Sequence, residues 1–440
     1  MSQKASFASW RPLLEGDLAT QAWDVLEELG HCLEKPPRAY IFDANLSSQE
    51  VTYGNSTMWP TLAGGDSGIA LFFAYLAKAR SSGTHLEIAK RFLDQAGGWL
   101  AECGVGEGLH GGFSGVAWTA THLMKMFPEE INFDCEEIDQ GLENLLAHSP
   151  WIRSYDFIDG LAGLAVYALE QLPHTIGRKC TEQIINQIEK LATKSGDDIT
   201  WFTPPYMIFN ENQLAEFPQG YYNLGLAHGV PGVIGLLSEV YAAGIEQPRL
   251  RKILNGAISW LLKQKQFKGE NSIFSSYTHP NKLDFVGSRL AWCYGDPGIA
   301  ITLLLAARHL EESSWENEAL EILRHAAKIS FQASGVFDAG ICHGAAGLAH
   351  IFNRAYQATG EDTFKEAAIR WYKTTLIMKQ PNQAVAGFPT AFFENNKLEY
   401  KPDPGFLTGA AGVGLVLLAA VSPIEPQWDR VLLTSVAPRG

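Results

Sequence analysis

Cys293, Cys342 and His343 are the residues of this chain whose types and placing are best suited to chemistry. Cys293 lies in SRLAWCYGDPG (288–298), and Cys342 and His343 lie in GICHGAAGLA (340–349). Each cysteine stands two residues before a Gly-x-x-Gly element, so both occupy one position of a repeated pattern. Two thiolates and an imidazole match the tetrahedral sulfur and nitrogen coordination of Zn²⁺, and three protein ligands leave a fourth position for water or substrate. No Cys-x-x-Cys pair points instead to a structural finger. A Cys-His dipeptide by itself would be read as a buried thiol beside a helix-start histidine. The matching position of Cys293 decides for metal.

Other reactive types gather near the same elements. Arg289 lies four residues before Cys293 and Tyr294 directly after it; His228 immediately precedes Gly229, and Asp156 lies four residues before Gly160. A histidine titrates near neutral pH and suits general acid/base work. Singly, Asp156 would pass for a helix cap, Arg289 for an interhelical charge and Tyr294 for a packing aromatic. Their convergence on one set of turns is what raises them. His110 and Asp159 hold similar positions and rank lower, while Cys32, Cys103, Cys135 and Cys180 fall outside the turns and read as structural.

These residues need elements that bring distant segments together, and the glycines supply the pattern. Gly-x-x-Gly followed by an apolar run occurs at Gly65, Gly112, Gly160, Gly229, Gly295, Gly344 and Gly409, at intervals of 47, 48, 69, 66, 49 and 65 residues. Such periods indicate a repeat architecture. Amphipathic segments such as 86–100 and 318–331 fill the intervals with helical spacing of apolar residues. The unit is therefore an amphipathic outer helix, a glycine turn that permits φ > 0 and lets the start of the next helix approach its neighbours closely, and an apolar inner helix. The expected fold is all-α: a single α/α toroid domain over 1–440, with seven helix-pair repeats at about 61–420. An open solenoid is the alternative. Stretches near 200–222, 269–286 and 381–404 break the helical period and are expected to be loops or small β-containing insertions over the cavity mouth.

Composition narrows the partners. With 34 Lys and Arg against 48 Asp and Glu, the net charge is −14, which disfavours phosphate backbones and anionic lipid. No apolar run reaches the length of a transmembrane segment. Six scattered cysteines do not read as a secreted disulfide framework, so a reducing cytoplasm is expected.

The two cysteine motifs, together with NLGLAHGVPG (223–232) and YDFIDGLAG (155–163), closely resemble the lanthionine synthetase C family, and the glycine turns extend the resemblance from about Thr61 to Ala420. The resemblance implies an α/α toroid holding one Zn²⁺ per chain on Cys293, Cys342 and His343. It implies addition of a peptide cysteine thiol to dehydroalanine or dehydrobutyrine, forming lantibiotic thioether rings. His228, Asp156, Arg289 and Tyr294 match the family's further active-site positions. His228 would be the general acid/base, Asp156 would orient it, and Arg289 and Tyr294 would stabilise charge or support the metal ligands. A dehydrated precursor peptide is the implied substrate, with a dehydratase and an exporter as partners that would also bring any membrane association. The WCYG form of the first motif resembles bacterial stand-alone cyclases.

Three other readings stay open on the residues. One is a LanC-like zinc protein that binds or transfers glutathione or other thiols. Another is a non-catalytic scaffold. The third, an α/α-barrel carbohydrate enzyme, would pair Asp156 with Asp159 and leave the cysteines without a role.

Overall fold

The computed structural model describes residues 9–36, 58–208, 211–266, 271–279, 287–394 and 397–439. In chain order its helices are α1 (Gly16–Leu33), α2 (Asp66–Arg80), α3 (Gly83–Glu102), α4 (Phe113–Met126), α5 (Glu136–Leu146), α6 (Leu161–Glu170), α7 (Thr175–Leu191), α8 (Glu211–Glu216), α9 (Val230–Ala242), α10 (Gln247–Leu262), α11 (Asp296–Leu310), α12 (Ser313–Lys328), α13 (Phe331–Ser334), α14 (Ala345–Thr359), α15 (Asp362–Ile377) and α16 (Ala410–Val421). The glycine turns each start a helix that is apolar nearly all round; in α16 every residue from Ala410 to Ala420 is buried. Such helices must be covered on all sides. They are: α2, α4, α6, α9, α11, α14 and α16 touch in sequence, and α16 returns to α2. The fold is an α/α toroid.

Each of the first six inner helices packs on the outer helix that follows it in the chain, and α16 packs on α1 from the other end of the chain. The unit is thus inner-then-outer, the reverse of the order expected from sequence. Two-residue links explain this. Ser81–Ser82, Glu311–Glu312 and Gly360–Glu361 turn α2, α11 and α14 straight into their outer partners, with Ser81, Glu311 and Gly360 in the left-handed conformation that ends a helix. The outer helices keep one apolar stripe; α12 buries Ala319, Leu320, Ile322, Leu323, Ala326 and Ala327.

At the other end of the inner helices, the glycine turns are tied into a circle by backbone hydrogen bonds. Ala63 N–H donates to His110 O (2.9 Å), His110 to Ile158 O (3.2 Å), Phe157 to Ala227 O (3.1 Å) and Ala227 to Cys293 O (3.3 Å). Cys293 N–H donates to Cys342 O (3.1 Å), Cys342 to Leu407 O (2.8 Å), and Leu407 closes the circle on Ala63 O (2.9 Å). The glycines serve this closeness rather than positive φ. At the second glycine of every turn, a Cβ would collide with the carbonyl six residues earlier, from Leu62 O at Gly68 to Phe406 O at Gly412. Of the seven first glycines, only Gly295 has positive φ, at 116°.

Three two-stranded antiparallel sheets decorate the ring: β1 (Ala192–Ser195) with β2 (Asp198–Trp201), β3 (Tyr222–Asn223) with β4 (Tyr277–Thr278), and β5 (Pro389–Glu394) with β6 (Lys397–Pro402). The stretch 200–222 holds the end of β2, α8 and the start of β3, and 381–404 holds the β5–β6 hairpin. Of 269–286, residues 271–279 contribute β4; 269–270 and 280–286 lie outside the described residues.

The C-terminal segment enters the ring. Asp429 accepts from Arg354 Nε (2.6 Å) and Nη2 (3.0 Å) and pairs with His350 Nε2 (2.7 Å), all buried. Arg430 pairs with Glu170 of α6. Val431 O meets His110 Nε2 (3.1 Å), and Leu432 O accepts from Trp292 Nε1 (2.8 Å), so the segment underlies the circle of turns. No described helix is long and apolar enough to cross a membrane.

The steric account of the glycines separates two substitutions. Gly115→Ala drives a Cβ into Leu109 O and is expected to cost about 1–3 kcal/mol. Gly141→Ala, in α5 with open space around it, is expected to add about 0.5–1 kcal/mol. Urea unfolding of the two variants checks both signs.

Candidate metal centre

The belt bond from Cys293 to Cys342 lays two turns side by side, with their cysteines at the same loop position. His343 follows Cys342 directly. One donor atom from each of the three side chains lies within 4.8 Å of the others, the one such His, Cys or carboxylate group found among the described residues. Cys293 is buried, while Cys342 and His343 are half-buried, which leaves the group reachable from one side.

The electrostatics of the thiol pair bear on what it can hold. A hydrogen bond from Cys342, working against burial, draws the Cys293 thiol well below its usual range, helped by His343 and the charge of Arg289. Cys342 is held well above its usual range by that hydrogen bond, by burial and by repulsion from Cys293. Two sulfurs this close do not both ionise unless a cation joins them. The donor set therefore fits a thiophilic divalent ion. Arg289 Nη2 reaches Cys293 Sγ at 3.8 Å, and Asp338 Oδ2 lies 3.6 Å from His343 Nε2.

Beside this group stands a carboxylate–imidazole pair. His228 Nδ1 is 2.7 Å from Asp156 Oδ2, and Asp156 Oδ1 accepts from Asp159 N–H at 2.9 Å. Burial opposes the His228 charge, but the attraction of Asp156 and their hydrogen bond prevail, so its pKa is raised. Burial likewise pushes Asp156 up, but the His228 charge together with the hydrogen bonds from His228 and the Asp159 and Gly160 backbone leaves Asp156 lowered. The His228 side chain is 39 % exposed, so Nε2 can meet an incoming molecule. Ala227, next to His228, donates its N–H to Cys293 O, which sets the pair beside the thiols.

Tyr294 packs beside the His228 ring. Its ring is 6.3 Å from that of His228 and 5.5 Å from that of Tyr277, and its hydroxyl accepts from Asn223 Nδ2 at 3.0 Å. All seven residues singled out in the sequence thus fall on adjacent turns. His110 instead turns into the bore, where burial lowers its pKa to about 4 despite the Val431 carbonyl. Asp156 is committed to His228 rather than to a carboxylate partner.

Sequence reasoning passed over Asp338, Asn223 and Tyr277. A signal for the first two was present: Asn223, Asp338 and Asp403 each stand six residues before the first glycine of a turn. The sequence marked Tyr277 only as one of the aromatics of the 269–286 insertion, and no repeat position singles it out.

The family model described as lanthionine synthetase C-like protein matches residues 56–433. "Nisin biosynthesis protein NisC" of Lactococcus lactis subsp. lactis is 27% identical over 338 residues, covering 70% of this chain and 77% of that protein. The solved structure of "Nisin cyclase" superposes with a TM-score of 0.69 at 20% identity, covering 96% of this chain and 98% of that one. With the match spanning most of its length, the chain belongs to the lanthionine synthetase C-like family.

Proposed function

We propose that this chain is a zinc-dependent peptide cyclase. It would add cysteine thiols to dehydroalanine or dehydrobutyrine and so close (methyl)lanthionine rings in a dehydrated lantibiotic precursor. The observation that carries this reading is the convergence of Cys293, Cys342 and His343 beside the Asp156–His228 pair. Family membership and the cyclase named among its relatives support it.

Zinc bound by Cys293, Cys342 and His343 would supply the charge that lets a substrate thiol ionise near neutral pH, against an ordinary thiol pKa of about 8.5. The residues around that position divide the remaining work. Arg289, next to Cys293 Sγ, offsets the negative charge of the two protein sulfurs. When the substrate sulfur bonds to the β-carbon of the dehydro residue, the π-electron pair moves toward the carbonyl as an enolate. The α-carbon then needs a proton. His228 holds one at Nε2 while Asp156 keeps Nδ1 engaged, so the ring is oriented and its charged form favoured. Tyr294 offers its hydroxyl to the developing enolate oxygen. The proton taken by the α-carbon balances the one lost by the thiol. No co-reactant is required.

Metal analysis of the purified protein is expected to give one zinc per chain, with Cys293→Ala and Cys342→Ala both losing it. Chelation should abolish loss of peptide thiol from a dehydrated precursor, and added zinc should restore it. Full zinc and full thiol loss in Cys293→Ala would contradict the site.

The pH dependence at saturating peptide tests His228. Its raised pKa keeps the acid form present above the ordinary histidine range, and the rate should fall as pH rises through that raised value. In Asp156→Asn the attraction that raises the pKa is gone. The falling limb should move to lower pH, and the maximal rate should drop on the order of 100-fold. An unmoved limb in Asp156→Asn would assign the proton to another group.

A further inference from the structure

We infer that Asn223 and Tyr277 form a clamp on Tyr294, with Asn223 the positioning residue that makes the Tyr294 hydroxyl a hydrogen-bond donor. The inference rests on the cyclase reading above and assigns that site two residues it did not contain.

The fold supplies its own comparison. Asn223, Asp338 and Asp403 occupy one repeat position, six residues before the first glycine of their turns. All three use Oδ1 in the same way, accepting the backbone N–H two residues on: Gly225 at 2.8 Å, Gly340 at 3.0 Å and Gly405 at 2.7 Å. An aspartate therefore serves the turn as well as an asparagine does. The remaining atom is what differs. Asp338 Oδ2 accepts from Ala391 N–H (2.9 Å), and Asp403 Oδ2 accepts from the Thr408 hydroxyl (2.5 Å). Asn223 alone of the three brings a donor, and its Nδ2 gives a hydrogen to Tyr294 Oη at 3.0 Å.

The Gly225 bond fixes which end of the Asn223 amide is oxygen, so the polarity toward Tyr294 is not free to reverse. A phenol that accepts from Asn223 must send its own proton elsewhere. Tyr277 packs its ring 5.5 Å from that of Tyr294, against the side chain that carries the hydroxyl. Asn223 and Tyr277 are register partners in the β3–β4 pair, so two residues of sheet deliver both to one side chain. Tyr277 is braced from behind by Tyr221, with rings 4.8 Å apart, in a small cluster separate from the main core. Accepting one hydrogen bond strengthens the hydroxyl as a donor to the next acceptor, the use that enolate stabilisation requires.

The test is a double-mutant cycle between Asn223 and Tyr294, using a synthetic peptide that carries one dehydroalanine and one cysteine. Asn223→Asp keeps the acceptor for Gly225 but would pull the Tyr294 proton toward itself. Asn223→Ser, which keeps an oxygen for the turn and cannot reach Tyr294, serves if the aspartate variant does not fold. Asn223→Asp and Tyr294→Phe are each expected to lower kcat on the order of 100-fold, with KM within about two-fold. The double variant should be no slower than Tyr294→Phe, with zinc content and Tm as in the wild type. A wild-type kcat in a folded Asn223 variant, or losses that multiply in the double variant, would overturn the clamp. A wild type that consumes no peptide thiol would instead overturn the cyclase reading, and the clamp with it.

Discussion

The circle of backbone hydrogen bonds joining the seven glycine turns is the constraint on which the rest of this molecule depends. Buried amides and carbonyls must find partners, and at the end of the toroid each turn finds them in the next. The register of every turn against its neighbour is then set by the main chain alone. Side chains at the circle are free to vary, from Ala63 and Leu407 to Cys293 and Cys342, while their backbone geometry repeats. A pair of thiols comes into contact because the same loop position carries cysteine twice in succession. Closure of the ring requires the two ends of the chain to meet, which Leu407 does at Ala63 and α16 does at α1.

That regular frame carries an irregular distribution of function. The turns of the sixth and fifth repeats carry the two thiols and the imidazole, and those of the fourth and third carry the Asp156–His228 pair, so four adjacent turns form the candidate site. The turns at Gly65 and Gly409 place small or apolar residues at the same position. The bore behind the circle is filled by the C-terminal segment, whose buried Asp429–Arg354 pair sits far from water. Ion pairs buried this deeply gain little net stability over apolar packing, and losing one partner is costly. His110 is drawn into this packing through Val431 O, which removes it from the reactive face although its loop position matches that of the cysteines.

Much of this was legible because a repeat protein compares itself. The glycine spacing located seven inner helices, and the shared position of Cys293 and Cys342 brought together residues 49 apart without any structure. Asp156, Arg289, Tyr294 and His228 followed from the same turns. What escaped is what the repeat does not encode. The order of inner and outer helices depends on which link is short, and composition gives no warning that Ser81–Ser82 closes a hairpin. Of the two roles expected of glycine, close approach holds at the second glycines, which yield room to a carbonyl, whereas positive φ does not, since six of the seven first glycines are extended. Tyr277 lies in an insertion whose pairing with Asn223 is a contact across 54 residues, invisible to periodicity.

The most direct measurement of the central claim is X-ray absorption at the zinc edge, on the purified protein before and after a cysteine-containing peptide is added. The account requires two sulfur donors at about 2.3 Å and one imidazole nitrogen, with a lighter donor in the fourth position that a third sulfur replaces when peptide binds. A coordination sphere without sulfur, or one already closed by four protein donors and unchanged by the peptide, would contradict it.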